Sequence, residues 1–375
     1  MNKFFFLVIT AMLCSHCATE RASEINVAVE EHSVKQSLSN SVPVLAKAKT
    51  IDAPENRRAT FVAHRAKMLM TSLPAITSNQ REALETQRTL LKRQDPHRNF
   101  VVNGKQYSRQ DFLQVIDDLL SGKYHEQSLD LIPVNPNGEV KFTGYYSPEI
   151  KVSEKKTKKY RYPILRYPKD FEGKLPSRRV IESGKAFDLD TYAIAYAKHP
   201  LDVYTLQLQG SGFIKFKKGG RKYLAYGGTN RFPYQSIERA ASKLDSSITD
   251  LSMRSLRKWV SKKSERDTIT RANPNYGFFE VSEGEARGAA GVELTPMISV
   301  AADPQHYPIG SVLIASVPVI GKMNEFETKI LLVQDTGGAV KGDHHLDVYT
   351  GVGDKALDVA EVTNTFGQVY LLTTR

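Results

Sequence analysis

Apolar and polar positions alternate with two different periods along the chain. Residues 78–93 and 111–120 follow a helical period: the first segment predicts a helix capped by Ser78, and the second carries an apolar stripe at 112, 113, 115, 116, 119 and 120. From about residue 140 onward, short β-type runs are separated by Gly, Pro and Asn. Many short strands between turn signals predict a mainly β fold with a few helices, built from barrels rather than from a parallel α/β sheet.

The β-rich part divides at a Gly/Ala-rich segment, 284–291. Before it, strands are predicted over 141–146, 192–197, 203–208, 213–216 and 223–226, and helices over 234–244 and 251–262. After it, strands are predicted over 298–302, 311–317, 330–333, 346–349 and 368–372.

The first 17 residues have the pattern of an export signal. Lys3 precedes an apolar run, 4–13, which suits a signal peptide and is shorter than the ~20 residues that span a bilayer. A buried N-terminal strand is the alternative. Cleavage after Cys17 gives a soluble periplasmic protein, whereas lipid attachment to Cys14 or Cys17 gives a lipoprotein. We favour the lipoprotein, although both cysteines follow poor matches to a lipobox. Residues 18–58 are polar and predict a flexible tether.

Composition limits the chemistry of the rest of the chain. The 375 residues include 52 Lys plus Arg and 41 Asp plus Glu, a net charge of +11 that suits any polyanionic partner, nucleic acid among them. Both cysteines lie in the export signal, so zinc fingers, thiol redox chemistry and cysteine nucleophiles are excluded from the body. The basic run 151–161 is typical of a solvated hairpin tip, with an anion-binding clamp as the alternative.

The densest group of reactive residues lies between 334 and 351. Asp335 ends an apolar run and precedes Thr-Gly-Gly, where the backbone must turn, and Asp347 begins another β-type run. A turn and a short return strand would bring the two carboxylates side by side. Their pKa values would then move apart, and one would stay protonated as a general acid for glycosidic bond cleavage. An Asp at a strand end is also a common turn former.

Two other interpretations of this segment are weaker. Asp335-Thr336-Gly337 is the active-site triplet of aspartic proteases, but those enzymes need two copies and this triplet occurs once. His344 and His345 are adjacent and would point to opposite faces of a strand, so they do not easily chelate one metal ion.

Two further segments are candidates for ligand contacts. In 142–148, Tyr145 and Tyr146 lie beside Gly and Pro and could stack on sugar rings, although a packed strand end explains them equally well. In 206–212, a strand would place Gln207 and Gln209 on one face before Gly-Ser-Gly, unless that face is simply solvated. These Gly-containing segments match neither GxGxxG nor a P-loop, so nucleotide binding has no support.

Four blocks, in this order, resemble the membrane-bound lytic murein transglycosylase A family. They are 142–148 (FTGYYSP), 209–212 (QGSG), 273–279 (NPNYGFF) and 335–342 (DTGGAVKG), the last running on to 346–349 (LDVY). Segment 297–311 is also similar. The resemblance covers the chain from about residue 100 to its end, and the last block is the most specific.

The resemblance implies two interleaved domains with a groove between them. Residues 59–146 and 283–375 would form a discontinuous double-psi β-barrel, and residues 147–282 an inserted, β-rich, barrel-like domain that binds glycan. Family members cleave the β-1,4 bond between N-acetylmuramic acid and N-acetylglucosamine in peptidoglycan and form a 1,6-anhydromuramic product without consuming water.

The resemblance also implies roles for individual residues. The family's catalytic aspartate falls on Asp347, which would act first as acid and then as base, and Asp335 would hold charge or orient it. The expected substrate contacts are Thr143, Tyr145, Gln209, Ser211, Thr336 and Gly337. Neither a cofactor nor a metal ion is expected.

The expected partner is the peptidoglycan glycan strand, with no nucleic acid. We expect a monomer in the periplasm of a Gram-negative bacterium, in contact with the outer membrane only through a lipid anchor. A non-catalytic glycan-binding or wall-loosening module is one alternative, and a peptidoglycan hydrolase that uses water is another.

Overall fold

The computed structural model describes residues 73–375 except 103, 123–128, 136–137, 263 and 319–324. The predicted signal peptide (1–17), the tether (18–58), Cys14 and Cys17 lie outside these residues. No helix in the described part of the chain is both long and apolar enough to cross a membrane.

Strands outnumber helices in the described chain. The helices are α1 (Ser78–Lys92), α2 (Arg109–Ser121), α3 (Arg178–Glu182), α4 (Leu189–Tyr192), α5 (Pro200–Gln209), α6 (Ile237–Leu244), α7 (Met253–Val260) and α8 (Asp354–Val362), and a 3₁₀ helix covers Ser264–Ala272. The strands are β1 (Asn99–Val102), β2 (Lys105–Ser108), β3 (Leu129–Pro133), β4 (Glu139–Ser147), β5 (Glu149–Ser153), β6 (Tyr162–Leu165), β7 (Ala193–Ala197), β8 (Gly212–Phe216), β9 (Arg221–Thr229), β10 (Gly277–Ser282), β11 (Ser299–Ala301), β12 (Val312–Pro318), β13 (Phe326–Asp335), β14 (His345–Val352) and β15 (Asn364–Thr374).

Six strands close into a barrel. Around the ring, β4 pairs with β14, β14 with β11, β11 with β13, β13 with β12, β12 with β15, and β15 with β4. β3 is added beside β15, and α1 and α2 contribute Leu84, Leu91 and Phe112 to the barrel core. The closed ring leaves no free edge among its six strands.

A second sheet is inserted between β4 and β11. Its order is β10-β9-β8-β5-β7-β6, and a bridge from Arg166 to Phe279 connects its two edges, so this sheet is nearly closed as well. The predicted architecture, mainly β with a few helices and two barrel-like sheets, is therefore confirmed.

An aromatic cluster joins the two sheets. Phe213 and Tyr223 of the inserted sheet pack with Tyr349 of the barrel, and Tyr145 lies against the same cluster. The outer face of β4 and β14 is consequently covered, in part, by the inserted sheet.

The predicted strand over 203–208 is wrong, because this segment lies in helix α5. Pro200 is at the first turn, the ring of His199 accepts a hydrogen bond from the Leu201 N–H (3.2 Å), and Gly210 ends the helix in the left-handed conformation. Apolar side chains of α5 pack into two different cores, one on each side. Because a helix that is buried on both sides has apolar residues all round, its sequence lacks an amphipathic period and resembles that of a strand.

Other boundaries differ in smaller ways. The cap of α1 is Thr77 rather than Ser78, and it forms a capping box with Gln80. The run 151–161 begins in β5, and its residues 154–161 connect β5 to β6. These two strands are separated by β7, so 154–161 is a loop and not the tip of a hairpin between them. Helix α8 and the β1–β2 hairpin were not predicted.

Candidate active site

A row of residues crosses the outside of the barrel from β13 to β4. Ala301 of β11 lies opposite Asp335 on one side and opposite Asp347 on the other, and Asp347 lies opposite Thr143. The neighbours of Asp347 along β14 are buried in the barrel core, so strand alternation directs Asp347 outward. The two carboxylates are thus brought together across an intervening strand, and not by the predicted turn and return strand.

Asp347 is partly buried, and among the described residues it has one hydrogen-bond donor. The Thr143 hydroxyl donates to its Oδ1 at 2.7 Å. Burial raises the pKa of Asp347 to about 7, and the nearby Asp335 raises it further while the Thr143 hydrogen bond opposes the shift. Near neutral pH this carboxyl group therefore exists in both protonation states, which suits a proton donor and acceptor.

Asp335 has three donors. Its Oδ1 accepts from the N–H groups of Ala289 (2.7 Å) and Thr336 (2.8 Å), and its Oδ2 accepts from the Tyr145 hydroxyl (2.8 Å). Burial raises the pKa of Asp335, whereas all three hydrogen bonds favour the ionised form. The different donor counts make Asp347 the carboxyl group that holds a proton more readily.

Tyr145 connects this pair to the inserted sheet. Its ring lies 5.4 Å from the ring of Tyr349, in the cluster that joins the two sheets. Burial and the neighbouring Asp335 raise the pKa of Tyr145 well above its ordinary value, so its hydroxyl stays protonated and remains a donor.

His345 joins the site in a role that the sequence did not indicate, since the sequence presents it only as a weak candidate metal ligand. Its Nε2 lies 2.9 Å from the same Thr143 hydroxyl that donates to Asp347. Burial, with Lys141 and His344 nearby, lowers the pKa of His345 to about 4, so the ring is neutral at physiological pH. While Thr143 donates its proton to Asp347, its oxygen can only accept in the contact with His345, so Nε2 of His345 must carry the hydrogen of that bond.

Ala289 is a second contributor that the sequence did not indicate. Its N–H group reaches Asp335 because Gly288 lets the backbone pass close to β13: a Cβ atom at position 288 would lie 2.4 Å from the Gln334 carbonyl oxygen. A backbone donor leaves no side-chain signal in the sequence, and the Gly/Ala-rich segment marks only the division between the two β-rich parts.

The remaining predicted contacts lie at the ends of elements. Gln209, the last residue of α5, accepts a hydrogen bond from the Tyr146 N–H (3.3 Å), so it lies against β4. Ser211 lies between α5 and β8, and Thr336 and Gly337 begin the turn after β13. A Cβ atom at Gly337 would lie 2.7 Å from Val340, so the turn requires a small residue.

Comparisons with known proteins give a consistent result. The family model of the MltA specific insert domain matches residues 141–280, and that of the 3D domain matches residues 298–373. The chain is 35% identical over 246 residues to membrane-bound lytic murein transglycosylase A of Escherichia coli K12, a match that spans 63% of this chain and 66% of that protein. It is 32% identical over 271 residues to the Vibrio cholerae protein of the same name, spanning 69% and 72%.

A solved structure agrees in fold. The crystal structure of E. coli MltA with bound chitohexaose has a TM-score of 0.66 at 29% identity and covers 80% of this chain and 91% of that one.

Proposed function

Because the chain belongs to the MltA family of lytic murein transglycosylases, we propose that it cleaves peptidoglycan by transglycosylation. The bond broken is the β-1,4 bond between N-acetylmuramic acid and N-acetylglucosamine, and the product carries a 1,6-anhydromuramic end. The observation that supports this most directly is Asp347, a carboxyl group with a pKa raised to about 7 on the barrel face that meets the inserted sheet.

One carboxyl group is enough for this reaction. Protonated Asp347 donates its proton to the glycosidic oxygen as the bond to C1 of the muramic residue breaks, which leaves N-acetylglucosamine with a free O4 hydroxyl. The resulting carboxylate then takes the proton of the muramic C6 hydroxyl while that oxygen bonds to C1. Asp347 ends protonated, as it began, and no water is consumed.

Asp335 supports this cycle as an anion. Its three donors favour the ionised form against the effect of burial, which raises its pKa, and they fix the orientation of the carboxyl group. A fixed negative charge near Asp347 favours the protonated state of that group before cleavage, and it also favours the positive charge that develops on the sugar ring in the transition state.

The glycan would lie between the barrel and the inserted domain. We assign the barrel to 59–146 and 283–375 and the inserted domain to 147–282. Over the described residues this agrees with the composition of the two sheets, except that Ser147 still belongs to β4. The E. coli relative was crystallised with bound chitohexaose, and here Tyr145, Gln209, Ser211, Thr336 and Gly337 are the proposed glycan contacts. Thr143 acts through Asp347.

We further infer where the protein works. The relatives are named membrane-bound and come from Gram-negative bacteria, so a periplasmic monomer attached to the outer membrane through Cys14 or Cys17 fits the proposed substrate. Replacing both cysteines with Ser should release the protein from the membrane fraction, and retention there would contradict a lipid anchor.

The experiment that tests the assignment compares two isosteric variants. Asp347→Asn should abolish release of soluble muropeptides from murein sacculi while its circular dichroism spectrum stays unchanged. Asp335→Asn should lower the rate, by about 10- to 100-fold, and leave measurable activity. Full activity of Asp347→Asn would disprove the proposed function. Equal loss in both variants would show that Asp335 takes part in proton transfer.

A further inference from the structure

The lysines of two separate sequence segments meet at one end of the inserted sheet. β5 and β8 pair in parallel, with Lys151 directly opposite Lys215. Because both strands run in the same direction, the loop 154–161 that follows β5 and the turn 217–220 that follows β8 begin side by side. The pairing therefore combines two basic runs that the sequence shows as unrelated.

The lysines at this end are exposed, and Glu154 is the one acidic residue of the loop 154–161. We call the following group the basic end: Lys151, Lys155, Lys158, Lys159, Lys215, Lys217, Lys218 and Lys222. In the described part of the chain none of these lysines forms an ion pair. Other cations nearby are already neutralised, since Arg221 pairs with Glu149 (3.0 Å) and Glu285 (3.2 Å), and Lys156 pairs with Asp190 (3.3 Å).

The basic end is separate from the site on the barrel. β5 follows β4 almost directly, and Phe213 near the start of β8 packs against Tyr349 of the barrel. Both strands therefore begin at the barrel and run away from it. Four to five residues at ~3.3 Å each place the two loops roughly 13–16 Å from that contact. A ligand at the basic end would leave Asp347 accessible.

We propose that the basic end binds an anionic lipid surface through the phosphates of phospholipid headgroups. A cluster of about four to eight lysines is the composition that attracts acidic membranes. Lysine is a flexible point charge without the fork that binds one anion specifically. Here five of the eight lysines extend from a loop and a tight turn, and the other three lie in the strands beside them. This arrangement suits a continuous layer of phosphates better than a single bound anion. The contact goes beyond the proposed function and would add to any lipid anchor.

Vesicle binding tests this proposal. The full-length protein is sedimented with phosphatidylcholine vesicles and with vesicles that contain one third phosphatidylglycerol, at low and at high salt. The loop variant carries Lys155→Gln, Lys158→Gln, Lys159→Gln, Lys217→Gln and Lys218→Gln. The control carries the same loss of charge on other exposed lysines: Lys92→Gln, Lys105→Gln, Lys185→Gln, Lys243→Gln and Lys355→Gln. Any contribution of the apolar segment 4–13 is common to both vesicle types.

The proposal predicts a salt-sensitive preference for the acidic vesicles that falls at least about tenfold in the loop variant and little in the control. Both variants should release muropeptides from sacculi at the wild-type rate, because neither set of lysines lies in the site. Equal binding of the two variants to acidic vesicles would overturn the proposal. The proposal would also be overturned if the loop variant bound vesicles as the wild type does but bound sacculi more weakly. That result would show that the basic end binds the carboxylates of the cell wall. Neither result affects the assignment of Asp347.

Discussion

The Thr143 hydroxyl determines how Asp347 is held. It lies between the Asp347 carboxylate (2.7 Å) and His345 Nε2 (2.9 Å), and it has one proton to donate. In the ionised state of Asp347 that proton points to the carboxylate, and a neutral His345 with a proton on Nε2 completes the chain. The arrangement fixes the orientation of the carboxyl group and stabilises its anion, which is the base in the second half of the proposed reaction.

Removing the hydroxyl should raise the pKa of Asp347. In Thr143→Val, we expect kcat/KM to fall about tenfold and the alkaline limb of the pH profile to move to higher pH, because the ionised carboxylate loses a charge-assisted hydrogen bond. His345→Leu should move the limb in the same direction by less. Thr143→Ser keeps the hydroxyl and should restore the wild-type profile. A rate loss in Thr143→Val with an unshifted limb would reduce Thr143 to a packing residue.

The raised pKa of Asp347 also affects stability. Its value in the folded protein, about 7, lies above the ordinary value of 3.8, so the fold disfavours the ionised form and stability falls as pH rises from about 4 to 7. Asp347→Asn removes this cost. We expect the variant to match the wild type at pH 4 and to be more stable at pH 8 by on the order of 1–3 kcal/mol, measured by thermal unfolding. An equal difference at both pH values would contradict the raised pKa.

At the scale of elements, the segment between β10 and β11 completes the site. Ala289 donates to Asp335 because Gly288 packs directly on the end of β13. A Cβ atom at position 288 would lie 2.4 Å from the backbone oxygen of Gln334 and 3.0 Å from the Asp335 side chain. The backbone of β13 cannot move away to make room, because this strand is paired with a neighbour on both sides.

Gly288→Ala should therefore displace Ala289 from Asp335. We expect at least a tenfold loss of muropeptide release with a folded protein, because one donor to a charged group is worth about 1.5–3 kcal/mol. Gly338→Ala is the matched control, since a Cβ atom at position 338 meets no atom within 4 Å. The interpretation would fail if both alanine variants had the same activity.

The sequence predicted those elements that have a strong local signal. The strands that carry Thr143, Tyr145 and Asp347, and the end of the strand at Asp335, follow from β-type runs and turn residues, and the predicted pair of aspartates does come together. Helix α5 was missed because it is buried on two sides. His345 was missed because its partner Thr143 is 202 residues away and belongs to another strand. Such contacts form only when the barrel closes, and no local sequence pattern predicts which strands then become neighbours.

At the scale of the whole molecule, the chain leaves the barrel after one strand and returns after a complete second sheet. β4 comes before the inserted sheet and β14 after it, yet the two strands pair and carry Thr143 and Asp347 side by side. The aromatic cluster of Tyr145, Tyr349, Phe213 and Tyr223 then fixes the inserted sheet against the strands that bear the site. The site therefore depends on closure of the barrel and on docking of the inserted sheet at once.

In the proposed reaction, Asp347 alone carries the proton transfers and the sugar supplies the nucleophile. Mass spectrometry of the products released from murein sacculi, with the reaction run in ¹⁸O-labelled water, tests this claim most directly. We predict muropeptides with 1,6-anhydromuramic ends, each lighter by one water than a reducing end and free of label, and no such products from Asp347→Asn. Reducing ends that carry ¹⁸O would show a hydrolase and contradict the account.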